Sequence, residues 1–190
     1  MSIEALDFVY RAEIVSENAV RLHMKNPQHI ETGRDVSLNG HHFTVHTVDT
    51  GAPHVVLFVE DLEVQDVHET GRGLRHHAAF APSGANVNFV KVTGASSIAL
   101  RTYERGVEAE TLACGTGSVA SAIISSIVQG TQNPVTIRVR SGEDLLVSFT
   151  LKDKSYYDVS LQGGALILFS GNILYDANRG IVGVASVSEL

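Results

Sequence analysis

The 190-residue sequence predicts an α+β fold, a mostly antiparallel sheet wrapped around one central helix. Two observations carry this. Short alternating or fully apolar segments recur along most of the chain, each closed by turn residues, and one long apolar segment has helical spacing. Strands are read at VRLHM (20–24), GHHFTVH (40–46), HVVLFVE (54–60), VNFVKV (87–92), SIALRTYE (97–104), VTIRVR (135–140), LLVSFTL (145–151), YYDVSLQ (156–162) and ALILFS (165–170). Asn39-Gly40, Ser83-Gly84, Ser141-Gly142 and Gly163-Gly164 read as the breakers between them. Residues 61–77 suggest a short polar helix interrupted by Gly71 and Gly73. From Ser118 to Gln129 the apolar residues Val119, Ala120, Ile123, Ile124, Ile127 and Val128 fall at helical spacing, and Gly130 is placed as the C-terminal cap. This helix is apolar over a broad face and otherwise carries only small residues, so the sheet is expected to enclose it.

Composition narrows the function. Hydrophobic residues make up 44% of the chain, enough for a real core. The formal net charge of −7, with no basic stripe to offset it, argues against nucleic acid as a partner. No apolar run approaches the roughly 18–20 residues of a membrane span, and the N-terminal MSIEALDFVYRAEIVSE lacks a basic region leading into an apolar one. A single cysteine cannot close an internal disulfide or build a thiolate metal cluster, which fits a reducing cytoplasm.

That cysteine stands in ETLACGTGSVASAII (110–124). With Thr116 or Ser118 as the N-cap, the amides around Gly115 to Val119 are unsatisfied helix donors, and the helix dipole adds partial positive charge. Such an end takes a carboxylate or phosphate, and Gly115 and Gly117 would let it approach the backbone. Cys114 at the same end is expected to have a lowered thiol pKa. The alternative is a small buried hydrophobe in front of an ordinary capped helix.

The neighbouring segments favour the chemical reading. Tyr103-Glu104-Arg105-Gly106, then Glu110-Thr111, then Ala113 to Gly117 opening a helix, resemble the second-half signature of the diaminopimelate epimerase family of cofactor-independent amino-acid epimerases. DTGAPHVVLFVEDL (49–62) is similar to the family's Gly-Asn-Pro-His strand, and GANVNFVKV (84–92) to its Asn-Val-Asn-Phe strand. The resemblance implies a diaminopimelate-epimerase-like domain over residues 25–165, with residues 1–24 and 166–190 as strands that pack with a first domain. It also implies interconversion of LL- and meso-diaminopimelate, a step of lysine and cell-wall precursor biosynthesis. Two cysteines on opposite faces of the α-carbon would move the proton, without pyridoxal phosphate or metal.

Carried over by position, Cys114 is one acid/base thiol and the backbone of Gly115, Thr116 and Gly117 cradles the reacting carboxylate. Asn86 hydrogen-bonds the substrate, Glu104 orients its distal ammonium and Arg105 its distal carboxylate. His54 matches the family's histidine near the thiols, its alternative being a satisfied histidine at a strand edge. An exposed strand ion pair is the alternative for Glu104 and Arg105. Two departures matter. Ala52 stands where the family has Asn, and no segment resembles the first-half Cys-Gly-Asn-Gly element, so a second thiol is missing. The chain is expected to begin near the last strands of that first half. The resemblance thus implies an epimerase-type chain incomplete alone, served by a chain supplying the first domain, and an apolar edge left by absent partner strands suggests a homodimer. A module that binds an amino dicarboxylate without turnover stays open, as does a hydrolase in which Cys114 attacks and His54 is the base.

His42, Thr44 and His46 share one face of a strand, and His76 and His77 lie further on. No acidic or thiol ligand accompanies them at telling spacing, so they read as hydrogen-bonded or solvated histidines and no metal is assigned. RGIVGVASVSEL (179–190) reads as a strand or loose tail.

Overall fold

Alternation of polar and apolar residues builds most of this chain into sheet. A computed structural model describes residues 1–5 and 8–189. In chain order, β1 (Ser2–Ala5) pairs with β2 (Phe8–Ser16) and β2 with β3 (Ala19–His23), while β4 (Gln28–Leu38) and β5 (His41–Asp49) form a hairpin. The hairpin turns at Asn39 and Gly40, both at positive φ as a two-residue turn between twisted strands requires. Strand β6 (Pro53–Phe58) leads to α1 (Val67–Arg75) and a 3-10 turn at Ala78–Phe80. Next come β7 (Asn86–Gly94), β8 (Ser97–Glu104), the short β9 (Ala109–Thr111) and α2 (Gly115–Gln129). The chain closes with β10 (Val135–Arg138), β11 (Asp144–Lys152), β12 (Ser155–Gly164) and a separately paired hairpin of β13 (Phe169–Asp176) and β14 (Ile181–Glu189).

One sheet runs β1-β2-β3-β12-β11-β10-β8-β7-β6-β5-β4, with β9 added beside β8. Only β6 with β7 and β8 with β10 pair in parallel among the described strands, so the sheet is mostly antiparallel, as the sequence predicts. Pairing of β3 with β12 joins the N-terminal strands β1 to β3 to this sheet.

Side-chain parity divides the core in two. The even residues Val56, Val90, Ile98 and Leu100 face α2 and pack with its fully buried Val119, Ile123 and Ile124, each worth roughly 1.5–3 kcal/mol on burial. The odd residues Val55, Leu57, Val87, Phe89 and Tyr103 form the second core with Val67 and Leu74 of α1. Helix α2 touches β5 to β8 and β10 to β12, so the predicted enclosure is observed, and Gly130 caps it in the left-handed conformation at φ 69°.

Three expectations are corrected and one strand is added. The 165–168 part of ALILFS is not strand, and pairing starts at Phe169. Gly163 and Gly164 break nothing, being the end of β12 paired with Val20 and Ala19. Strands β1 and β2 fall within the 1–24 stretch expected as strands, whereas most of β4 escaped detection because this edge strand is exposed and needs no apolar face. Gly71 and Gly73 do not interrupt α1. They admit it: a Cβ at Gly71 would lie 2.5 Å from Tyr103 Cβ, and one at Gly73 the same distance from the Leu38 Cδ2 tip.

The two glycines should therefore answer differently to alanine. Gly71→Ala should lower stability by about 1–3 kcal/mol, since Tyr103 Cβ cannot withdraw, whereas Gly73→Ala should be near neutral as Leu38 rotates and helix propensity improves. Denaturant midpoints of the two variants at equal slope check this.

Candidate active site

The α2-facing side of the central strands is apolar in the middle and polar at one end. Moving outward from Val56, Val90 and Leu100, the same parity brings His54, Asn88 and Thr102, then Asn86 and Glu104. Register explains the convergence, since His54 pairs with Asn86 and Asn88 with Thr102. His54, Asn88 and Thr102 are at most 2% exposed, so their polar atoms need partners within the protein. Asn88 Nδ2 donates to the Val55 carbonyl at 3.0 Å and faces His54 Nδ1 at 3.1 Å, while Thr102 Oγ1 donates to Asn88 Oδ1 at 3.0 Å. His54 Nε2 is buried and has no hydrogen-bond partner among the described residues. Burial, then the positive charge of Arg105, push the His54 pKa down to about 3. The strand-edge alternative therefore half-describes this residue, with one nitrogen satisfied and the other not.

The N-terminus of α2 packs on this polar end. The helix starts at Gly115, three residues earlier than its apolar spacing marks, because neither predicted cap is used. Cys114 is the N-cap in extended conformation and makes no side-chain capping bond. Ser118 instead bonds back, its Oγ and its amide both donating to the Cys114 carbonyl at 2.9 and 2.8 Å. Thr50 Oγ1 donates to the Thr116 carbonyl at 3.0 Å and ties the loop after β5 to this turn. The two glycines of this turn are also required by packing. A Cβ at Gly117 would lie 2.5 Å from Asn88 Oδ1 and 3.2 Å from Cys114 Sγ, and one at Gly115 would lie 3.0 Å from Leu161 Cδ2. They let the first turn press onto the sheet, which leaves it no room to move away from Cys114.

Cys114 is 6% exposed, and this reverses the expected lowering of its pKa. Burial pushes the thiol up, the Thr116 hydroxyl and the Gly117 amide pull it down, and the Glu104 carboxylate adds a further upward push. Cys114 is thus held as a thiol near neutral pH. Glu104 lies against this sulfur and accepts from Thr111 Oγ1 at 2.9 Å, and the Arg105 guanidinium donates to the Ser83 carbonyl at 3.3 Å. The two side chains make no ion pair with each other among the described residues. Asn86 spends its amide on the strand ends, Nδ2 donating to the Pro53 carbonyl at 3.2 Å and Oδ1 accepting from Arg105 N at 2.9 Å. One N–H of Asn86 is left for a ligand.

Two neighbouring groups result. Cys114, Glu104, Thr116 and Gly117 meet at the helix terminus, and His54 and Asn86 lie with Asn88 across the strands, Asn88 and Gly117 forming the seam. A cavity of about 280 Å³ opens beside His54 and is lined in part by Arg34, Asp49, Phe80 and Ser83, whereas Cys114 lies outside it. Sequence reasoning missed Asn88, Thr102 and Thr111. Period two along β7 and β8 would have found the first two, since they alternate with Asn86 and Glu104 on one face. His46 accepts from Gly33 N, and His77 Nδ1 accepts from Ala79 N while its Nε2 donates to the Ser37 carbonyl. Among the described residues no three His, Cys, Asp or Glu side chains cluster as metal ligands would.

The family profile for diaminopimelate epimerase matches residues 46–167, the stretch that carries His54, Asn86, Asn88, Glu104, Arg105 and Cys114. The chain belongs to the diaminopimelate epimerase family. A diaminopimelate epimerase of Chlorobaculum tepidum is 41% identical over 90% of this chain and 64% of its own length. One of Aquifex aeolicus is 38% identical over 90% of this chain and 60% of its own. One of a Hydrogenobaculum species is 44% identical over 70% of this chain and 48% of its own, so the chain spans about half to under two thirds of these relatives. Among solved structures, a probable proline racemase from Agrobacterium radiobacter superposes with a TM-score of 0.63 at 15% identity, covering 82% of this chain and 54% of that one. A PhzF-family phenazine biosynthesis protein from Bacillus anthracis gives 0.58 at 11% identity, covering 87% and 68%. At such identities these two share the fold alone.

Alkylation of Cys114 by iodoacetamide should rise with pH along a curve centred above the range of an ordinary thiol. Glu104→Gln removes a charge that raises this pKa, so the curve should move to lower pH. A midpoint below that of a free cysteine, or one that Glu104→Gln moves upward, would contradict the electrostatics described.

Proposed function

We propose that this chain supplies one acid/base face of a cofactor-independent epimerase acting at the α-carbon of diaminopimelate. The observation that carries the reading is the placement of a single buried thiol against a carboxylate at the amide-bearing end of a helix. Held as a thiol, Cys114 gives its proton to the α-carbon as a base on the opposite face takes one away. In the reverse direction the Cys114 thiolate removes the proton. The negative charge that develops on the substrate carboxylate is met by the helix-end amides of Gly115 to Gly117, fixed in advance by the packing of Gly117 and by Thr50. Arg105 is the group for the distal carboxylate, and Asn86 offers its remaining N–H. The acid/base group on the other face comes from outside these 190 residues, which contain one cysteine, and a further domain or a second chain would bring it. Such an enzyme would work in the cytoplasm, and no helix among the described residues is long and apolar enough to cross a membrane. A nucleophilic hydrolase finds less support, because His54 with a pKa near 3 is too weak a base to activate Cys114.

Incubation with LL-diaminopimelate in deuterated water, followed by NMR and chiral chromatography, tests this. The chain alone should incorporate α-deuterium with retention of configuration, and Cys114→Ala should reduce the rate by about 100-fold or more. Absence of exchange in the parent chain despite calorimetric binding would leave a binding module. Exchange indifferent to Cys114 would overturn the assignment of the thiol.

A further inference from the structure

We infer that Asn88 is a positioning residue that locks His54 as the neutral tautomer protonated on Nε2, making it a fixed hydrogen-bond donor beside the active site. The Val55 carbonyl can only accept a hydrogen bond. The side-chain atom of Asn88 that meets it at 3.0 Å must therefore be Nδ2, and Thr102 Oγ1 at 3.0 Å from Oδ1 completes the same orientation. The second hydrogen of that Nδ2 points at His54 Nδ1, 3.1 Å away, so Nδ1 must present a lone pair. A neutral ring then carries its proton on Nε2, and an imidazolium would set two donors against each other across this contact. Asn88 has no freedom to adapt, being fully buried, with Oδ1 pressed against the Cα side of Gly117.

The contact gives Asn88 a second job besides seating α2. His54 lies opposite Asn86 in the strand register and feels the positive charge of Arg105, with Arg34, Asp49 and His29 lining the cavity it borders. Its Nε2 is the only ring atom left to act, and it is a buried donor without an acceptor. Leaving such a donor unpaired is unfavourable, and an anionic group brought to this point would relieve it. The tautomer stands on the geometry alone. Its value to catalysis rests on the epimerase reading above, where a donor of unchanging protonation would hold an anionic group of the reaction.

Long-range nitrogen–proton correlation spectra of the 15N-histidine-labelled chain, with His54 assigned from the His54→Gln spectrum, read the tautomer directly. The parent chain should show His54 with Nε2 protonated and Nδ1 bare. Asn88→Asp replaces the donor with an acceptor, and Nδ1 should gain a proton. Asn88→Ala removes the lock and should yield a mixture of tautomers. A parent His54 protonated on Nδ1 overturns the proposal whether or not either variant folds. A folded Asn88→Asp protein that keeps the bare Nδ1 overturns it as well. Deuterium exchange measured on the same samples separates the two ideas, since loss of exchange with the lock intact counts against the reaction and leaves the tautomer assignment standing.

Discussion

The site depends on how closely the first turn of α2 is pressed against β7. Gly117 sits where no side chain fits, between Asn88 Oδ1 and Cys114 Sγ, and this single approach sets the position of the thiol, the helix-end amides and the buried polar cluster. Close packing makes the arrangement stiff, because a core at crystal-like density cannot absorb even one added carbon. The enclosure of α2 by seven strands is what holds the turn there. A site at the polar end of an otherwise apolar sheet face inherits its precision from the apolar part.

Burial and the helix dipole compete for Cys114, and burial wins. A dipole-end effect is worth roughly 0.3–1 kcal/mol where exposed, whereas removing a thiolate from water costs more. Glu104 adds to the upward push, so the same carboxylate that lies within reach of the sulfur keeps it protonated. Opposite logic rules at His54, where burial, Arg105 and the amide of Asn88 all oppose the charged ring. The two groups are therefore kept neutral by different means: one as a proton donor that can ionise during reaction, the other as a donor that does not.

Much of this was legible in the sequence. Period-two alternation revealed β5 to β8 and β10 to β12, because those strands bury a face against α2 or α1. The Cys-Gly-Thr-Gly turn and the Tyr-Glu-Arg-Gly strand end marked the site through their order along the chain. What stayed hidden depends on tertiary packing. The glycines of α1 look like breakers until Tyr103 and Leu38 are set against them, and the start of α2 is invisible to apolar spacing because its first turn is Gly-Thr-Gly. Likewise, a helix end predicts a lowered thiol pKa only so long as the thiol is wet. Asn88 looked like an ordinary strand residue, and only its buried contacts to β6, β8 and α2 reveal its part.

The seat of the substrate carboxylate is the claim on which the functional account turns. Titration of the 15N-labelled chain with LL-diaminopimelate, followed by amide chemical shifts, tests it most directly. The account predicts that the largest shifts fall on Gly115, Thr116 and Gly117, followed by Arg105, and that Arg105→Ala weakens binding while the helix-end shifts persist. Saturable binding whose shifts avoid the start of α2 would contradict it.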